Sequence, residues 1–204
     1  MQYWHDLITE KSFKILKEFR KEYQFILIGG WAVFFYTKSL KSKDVDIIVD
    51  FEELGKLKKE FDVFKNDRLR KYEIKKEGID IDIYVPFYSN PGLPAEEIKN
   101  YLVSREGFRL PVPEVLLILK QKAHQERKES PKGEKDKIDI LALLNLVPLD
   151  WNLYKKILQK HHQENFLKDL IQLLRMTSEV PELNLSRLRF SKFKKETLLK
   201  LTSL

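Results

Sequence analysis

Two stretches of this chain alternate aspartate with branched apolar residues, and little but a β-strand accommodates that pattern. They are DVDIIVD at residues 44–50 and IDIDIYVP at 79–86. Strand side chains point alternately to opposite faces. Asp44 and Asp46 therefore share one face, roughly 7 Å apart at their Cα atoms, while Val45, Ile47 and Val49 share the other. In the second stretch Asp80 and Asp82 share a face, opposite Ile79, Ile81 and Ile83. Aspartate is disfavoured in strands and costly to bury unpaired. The apolar face argues that both strands are buried, so the carboxylates need a cation. Side by side they repel, and a divalent ion with oxygen ligands, Mg²⁺ first and Mn²⁺ as an alternative, relieves this. If the two strands pair, three or four carboxylates converge, a donor set suited to two-metal phosphoryl transfer.

The surrounding pattern sets the order of elements. Residues 5–22 space apolar positions for a helix. QFILIG at 24–29 reads as a short buried strand, closed by Gly29-Gly30, and WAVFFYT as a short helix. FEELGKLKKEF follows as a surface helix, and Lys76-Glu77-Gly78 turns a hairpin whose second strand ends at Pro86. Between 87 and 112 prolines and glycine break the pattern around a short helix at AEEIKNYL and a strand near Phe108. From Pro113 the texture is helical: 113–128, then a loop at SPKGE, then 135–145, 150–161 with Asp150 as N-cap, and 165–176. A last helix places Phe190, Phe193, Thr197, Leu201 and Leu204 on one face. The expected fold is α/β (α+β), with a catalytic half at 1–110 and a helical region at 111–204. Trp4, Trp31 and Trp151 are expected to anchor core or contacts between elements, and the four histidines have no ligand spacing.

Composition bounds the function. There are no cysteines, which removes disulfides and thiolate metal sites. No apolar run reaches membrane-spanning length and the first residues lack a signal-peptide core, so a cytoplasmic protein is expected. Net charge is +7, and residues 151–204 carry most of it, with 11 Lys and Arg against 5 Asp and Glu. Two readings of that basic segment stand: a surface for a polyanion such as RNA, or the solvated Lys- and Glu-rich helices of a thermophile.

Gly29-Gly30 between strand and helix suits close approach of a phosphate to backbone. The order GG, D-x-D, then a further Asp on a hairpin strand resembles the nucleotidyltransferases of the DNA polymerase β superfamily. The stretches carrying it are GGWAVFFYTKSLKSKDVDIIV and IDIDIYV. The resemblance implies a mixed sheet with three acidic metal ligands and transfer of a nucleoside monophosphate from an NTP, such as ATP, with loss of pyrophosphate. It assigns Gly29 and Gly30 to the turn, Ser42 to the small hydroxyl residue before the acids, and Asp44 and Asp46 to the paired metal ligands. Asp82 is favoured as the third because of its apolar flanks, with Asp80 as the alternative.

Downstream, LLILKQKAHQER and KDKIDILALL resemble the helical segment of the single-chain bacterial and archaeal members, among them the toxins of toxin–antitoxin pairs. Lys120, Arg127, Lys135 and Asp136 match that segment, and Lys120 and Lys135 are the expected triphosphate contacts. The implied partners are an NTP, an RNA acceptor (tRNA especially) and a small antitoxin-like protein. Two other classes also use parts of this pattern. One is a D-x-D glycosyltransferase acting on nucleotide sugars, and the other a nucleic-acid-binding protein that no longer turns over.

Overall fold

The computed structural model describes residues 2–204, with side chains from residue 6 onward, so Trp4 lies outside the described side chains. The chain divides into two compact units, one ending at Val112 and one running Pro113–Leu204.

The first unit is a mixed α+β layer. Helix α1 (Gln2–Glu22) leads into β1 (Ile26–Ile28), α2 (Gly29–Thr37), β2 (Val45–Ile48) and α3 (Phe51–Glu60). Then come β3 (Phe64–Asn66), β4 (Lys71–Lys76), β5 (Ile79–Tyr84), α4 (Ala95–Ile98), β6 (Leu102–Arg105) and β7 (Phe108–Pro111). Five strands form one sheet in the order β1-β2-β5-β4-β3, and β6 pairs with β7 in a separate hairpin. The β2–β5 pair is parallel, and β1–β2, β5–β4 and β4–β3 are antiparallel.

Register follows the sequence alternation. Val45 pairs with Ile81 and Ile47 with Ile83, and all four are fully buried. Leu16 and Phe19 of α1 are buried as well, and α1 packs against β5. Trp31 of α2 is buried and donates its indole N–H to Ser12 Oγ at 2.9 Å, joining α2 to α1. Helix α3 begins where Asp50 accepts from the Glu53 N–H, an N-cap that ends the β2 segment.

The second unit is helical: α5 (Pro113–Arg127), α6 (Pro131–Leu146), α7 (Trp151–Lys160), α8 (Asn165–Met176) and α9 (Arg187–Thr202). Asp150 caps α7 by accepting from Leu153 N–H. Phe190, Thr197 and Leu201 are buried along α9, with Phe193 partly so. Trp151 is half-buried and meets Tyr154 edge-on. One expectation is corrected. SPKGE is not a loop but the start of α6, with Ser130 as N-cap accepting from Gly133 N–H and Pro131 in the first turn. Gly133 is there for space, because a Cβ on it would lie 2.1 Å from the Arg127 carbonyl oxygen.

Two strands escaped the sequence pattern. β3 is three residues of FKN, too short to alternate, and β6 reads LVSR with three exposed positions. Both are edge elements fixed by their partners rather than by their own residues. Among the described residues no helix is long and apolar enough to cross a membrane.

Candidate active site

Strand pairing brings the acids together. In the parallel β2–β5 ladder Asp46 and Asp82 are Cα partners, so both project from the face opposite the buried Ile47 and Ile83. Adjacent strands lie about 4.8 Å apart, which makes the two carboxylates direct neighbours. Asp44 stands in the bend just before β2 and, like Asp46 and Asp82, is half-buried. Asp80 is two residues nearer the hairpin turn, exposed, and faces Lys75 across the strands at 3.6 Å.

The Gly-Gly turn serves this face directly. Ile28, the last residue of β1, pairs with Asp46, and the next residue, Gly29, has φ +67°. A Cβ at Gly29 would lie 2.0 Å from Asp46 Oδ2, so the carboxylate rests against bare backbone at the first turn of α2. Only glycine gives both that dihedral and that clearance. The amino end of a helix favours a negative group, which suits Asp46 at this position. Gly30 is buried in the same turn, and Ser42 is buried in the segment ahead of β2.

One charged residue at the site was not anticipated from sequence. Lys71, the first residue of β4, places Nζ 2.6 Å from Asp82 Oδ2 and 3.1 Å from Glu73 Oε1. Glu73 is the register partner of Asp82 and also accepts from Asn66 Nδ2 at 3.0 Å. The signal was available: a turn at Glu77-Gly78 sets Lys75 opposite Asp80 and Glu73 opposite Asp82, and alternation then puts Lys71 on the same face. Burial works against the Lys71 ammonium, but Asp82 and Glu73 outweigh it and hold its pKa above the ordinary lysine value. Burial pushes the Asp82 carboxyl up, and Glu73 and Asp44 push the same way against the pull of Lys71. The two directions are compatible, because one ammonium serves several acids.

The donor set fits a hard divalent cation in kind, being carboxylate oxygen throughout. Among the described residues no three His, Cys, Asp or Glu are grouped to hold a metal. Mg²⁺ does not need three, since it commonly binds through one or two carboxylates, completed by water and substrate phosphates. Asp44, Asp46 and Asp82 supply three carboxylates at this face, the last of them in contact with Lys71.

The two downstream lysines belong to the second unit. Lys120 Nζ is buried between Asp139 Oδ2 at 2.7 Å and Asp136 Oδ1 at 2.9 Å. Burial opposes its charge, yet the two carboxylates hold its pKa above the ordinary value. Arg127 Nε adds a 2.8 Å contact to Asp136 Oδ2. Lys135 reaches Asp139 Oδ2 at 3.0 Å and stays 30 % exposed; burial, with the repulsion of Lys120, leaves its pKa below normal despite Asp139. Lys120, Arg127, Asp136, Lys135 and Asp139 thus form one ionic cluster tying α5 to α6.

Neither the protein-family models nor the curated proteins compared with the chain match it. Among solved structures it is similar to an antigenic nucleotidyltransferase-like protein from Paracoccidioides brasiliensis, at 16 % identity and TM-score 0.43, over 87 % of this chain and 96 % of that one. It is also similar to JHP933 from Helicobacter pylori, at 14 % identity and TM-score 0.48, over 96 % of this chain and 94 % of that one.

Proposed function

We propose that this chain is a metal-dependent nucleotidyltransferase that moves a nucleoside monophosphate from an NTP to an acceptor hydroxyl, with RNA as the acceptor class. The observation carrying the reading is the register of β2 and β5, which sets Asp46 beside Asp82 with Asp44 just ahead. Asp44 and Asp46 hold Mg²⁺, which supplies charge neutralisation on the NTP phosphates. Gly29 keeps Asp46 in place by leaving room for its carboxylate. Asp82 would take the proton of an acceptor hydroxyl, and burial, which raises its pKa, makes it a stronger base than an ordinary carboxylate. The acceptor oxygen forms a bond to the α-phosphorus and the bond from that phosphorus to the bridging oxygen breaks. Pyrophosphate leaves with the electron pair, and the hydroxyl proton passes to Asp82. The protein contributes positioning and electrostatics rather than a covalent intermediate. The basic segment 151–204 supports an RNA acceptor over a neutral one.

The test is incubation with each α-labelled NTP, Mg²⁺ and total RNA, alongside Asp46→Asn as control. Label should pass to RNA with the wild-type chain and not with the variant. Label on protein instead would move the acceptor class, and no label on either, from folded protein, would defeat the transferase reading.

A further inference from the structure

The register that joins the acids continues to the edge of the sheet. Asp46 pairs with Asp82, Asp82 with Glu73, and Glu73 with Phe64 on β3, so one row crosses four strands on a single face. Asn66, two residues along β3, marks the same face by donating to Glu73 Oε1 at 3.0 Å. Phe64 therefore stands two strands from Asp82, about 10 Å at the Cα atoms, and it is 65 % exposed. A lone exposed aromatic means little, but this one opens a segment of a particular kind. FKNDRLRK, residues 64–71, sets Lys65, Arg68, Arg70 and Lys71 against Asp67 alone. The turn within it is pinned at three points. Asn66 Oδ1 accepts from Leu69 N–H at 3.0 Å, the Tyr88 hydroxyl donates to Asp67 Oδ1 at 2.9 Å, and the Ser89 hydroxyl donates to the Arg70 carbonyl at 2.6 Å. Arg68 and Arg70 are exposed on that turn. Proteins hold single-stranded nucleic acid with this combination, cations meeting phosphates and an aromatic ring meeting a base.

We infer that Phe64 is the stacking platform for the last base of a single-stranded RNA acceptor, with Arg68 and Arg70 on the phosphates of the same strand. The inference rests on the nucleotidyltransferase reading above and adds where the acceptor end lies. With the terminal ribose at Asp82, which takes the hydroxyl proton, the attached base extends over Glu73 and meets the Phe64 ring. Phe64 is three strands from Asp46 and on the Asp82 side of the row, so the base it meets belongs to the acceptor and not to the NTP. Phe64 is then a positioning residue for the acceptor hydroxyl.

Fluorescence anisotropy of a 5′-labelled oligoadenylate, with its 3′ end intact or with the last base absent, reads this contact without turnover. The wild-type chain should bind the intact end more tightly by roughly 5- to 150-fold, the range for one stacked base. Phe64→Ala should bind the intact end as weakly as wild type binds the abasic one, with no preference between the two. Phe64→Trp should keep the preference. In the transfer assay Phe64→Ala should raise the acceptor KM by the same factor, with NTP KM, kcat at saturating acceptor and melting temperature near wild type. Equal binding of the two ends by wild type, no RNA binding by folded wild type, or an undiminished preference in Phe64→Ala would each overturn the inference. Absence of transfer by folded wild-type protein, with the preference for the intact end still present, would instead defeat the transferase reading and leave Phe64 as a base-binding residue.

Discussion

A side chain at Gly29 has nowhere to go but into the Asp46 carboxylate, since its Cβ would sit 2.0 Å from Oδ2 and 2.6 Å from Cγ. Its left-handed backbone adds a cost of about 1–2 kcal/mol for any residue with a Cβ. Gly29→Ala should therefore lower the melting temperature modestly but remove metal binding and transfer almost fully, because Asp46 must swing off its position. A variant that keeps wild-type Mn²⁺ affinity would show that the turn does not position the acid. Lys120 makes the opposite prediction. Its ammonium is the counter-charge for two buried carboxylates, so Lys120→Met should cost about 3–5 kcal/mol in stability. The pH dependence has a definite sign. Burial alone would raise the Asp136 carboxyl, but Lys120 and Arg127 outweigh it and hold it below its ordinary 3.8. Its contribution is complete above that value and is lost as pH falls through the folded one. Lys120 lies above its ordinary 10.5, so its share is present below that value and disappears only as pH rises through the higher folded one. In Lys120→Met the buried carboxylates gain by protonation, and the deficit against wild type should narrow from neutral pH into the acid range. Urea midpoints across that range test it, and a constant deficit would mean that packing, not charge, is what Lys120 provides.

At the scale of elements, α6 tests how its own start is built. Ser130 accepts from Gly133 N–H, and replacing it with alanine should cost about 1 kcal/mol in a urea titration. No change would mean that the α5–α6 ionic cluster alone holds that helix end. Reading SPKGE as a loop failed because Ser, Pro and Gly are loop residues by composition and helix-start residues by position. The Ser130 cap on Gly133 N–H and the closeness of Gly133 to the Arg127 carbonyl show which role applies, and both are contacts that composition does not carry. The central strands were far more legible. DVDI and IDIDIYV alternate so regularly that a slip of one residue would bury Asp44, Asp46, Asp80 and Asp82 and expose Ile47, Ile79, Ile81 and Ile83. The parallel pairing of β2 with β5 was not encoded in either stretch alone, because it depends on α3, β3 and β4 returning the chain to the neighbouring position. Lys71 lay between these cases. Its place follows from the hairpin turn by counting, but one lysine in a chain with 38 Lys and Arg draws no attention until its partner is known.

Across the whole molecule, the uneven charge is what bears on an acceptor, and the structure separates lysines that bond to backbone of other elements from those that stay on an exposed helix face. Lys194 donates to the Arg175 carbonyl at 2.7 Å and the Thr177 carbonyl at 2.9 Å, closing the end of α8. Lys155 bonds the Leu204 carbonyl. Lys192, which lies 4.0 Å from Glu196 one turn on, and Lys195 are exposed and three residues apart on α9, hence on the same side of that helix. The buried face of α9 is formed by Phe190, Thr197 and Leu201, so changing the two lysines leaves that packing alone. If they contact a single-stranded RNA acceptor, binding should weaken steeply with salt, by about 0.7 log unit per contacted phosphate for each tenfold rise. Lys192→Glu with Lys195→Glu should then lower the steepness by roughly 1.4 and raise the acceptor KM, leaving NTP affinity and melting temperature near wild type. Including Lys194 in the reversal would confuse the result, since its loss uncaps α8 and would be felt as instability. If α9 serves only to pack the second unit, the double variant will bind RNA with unchanged affinity and unchanged salt dependence, and the acceptor must be sought at another surface.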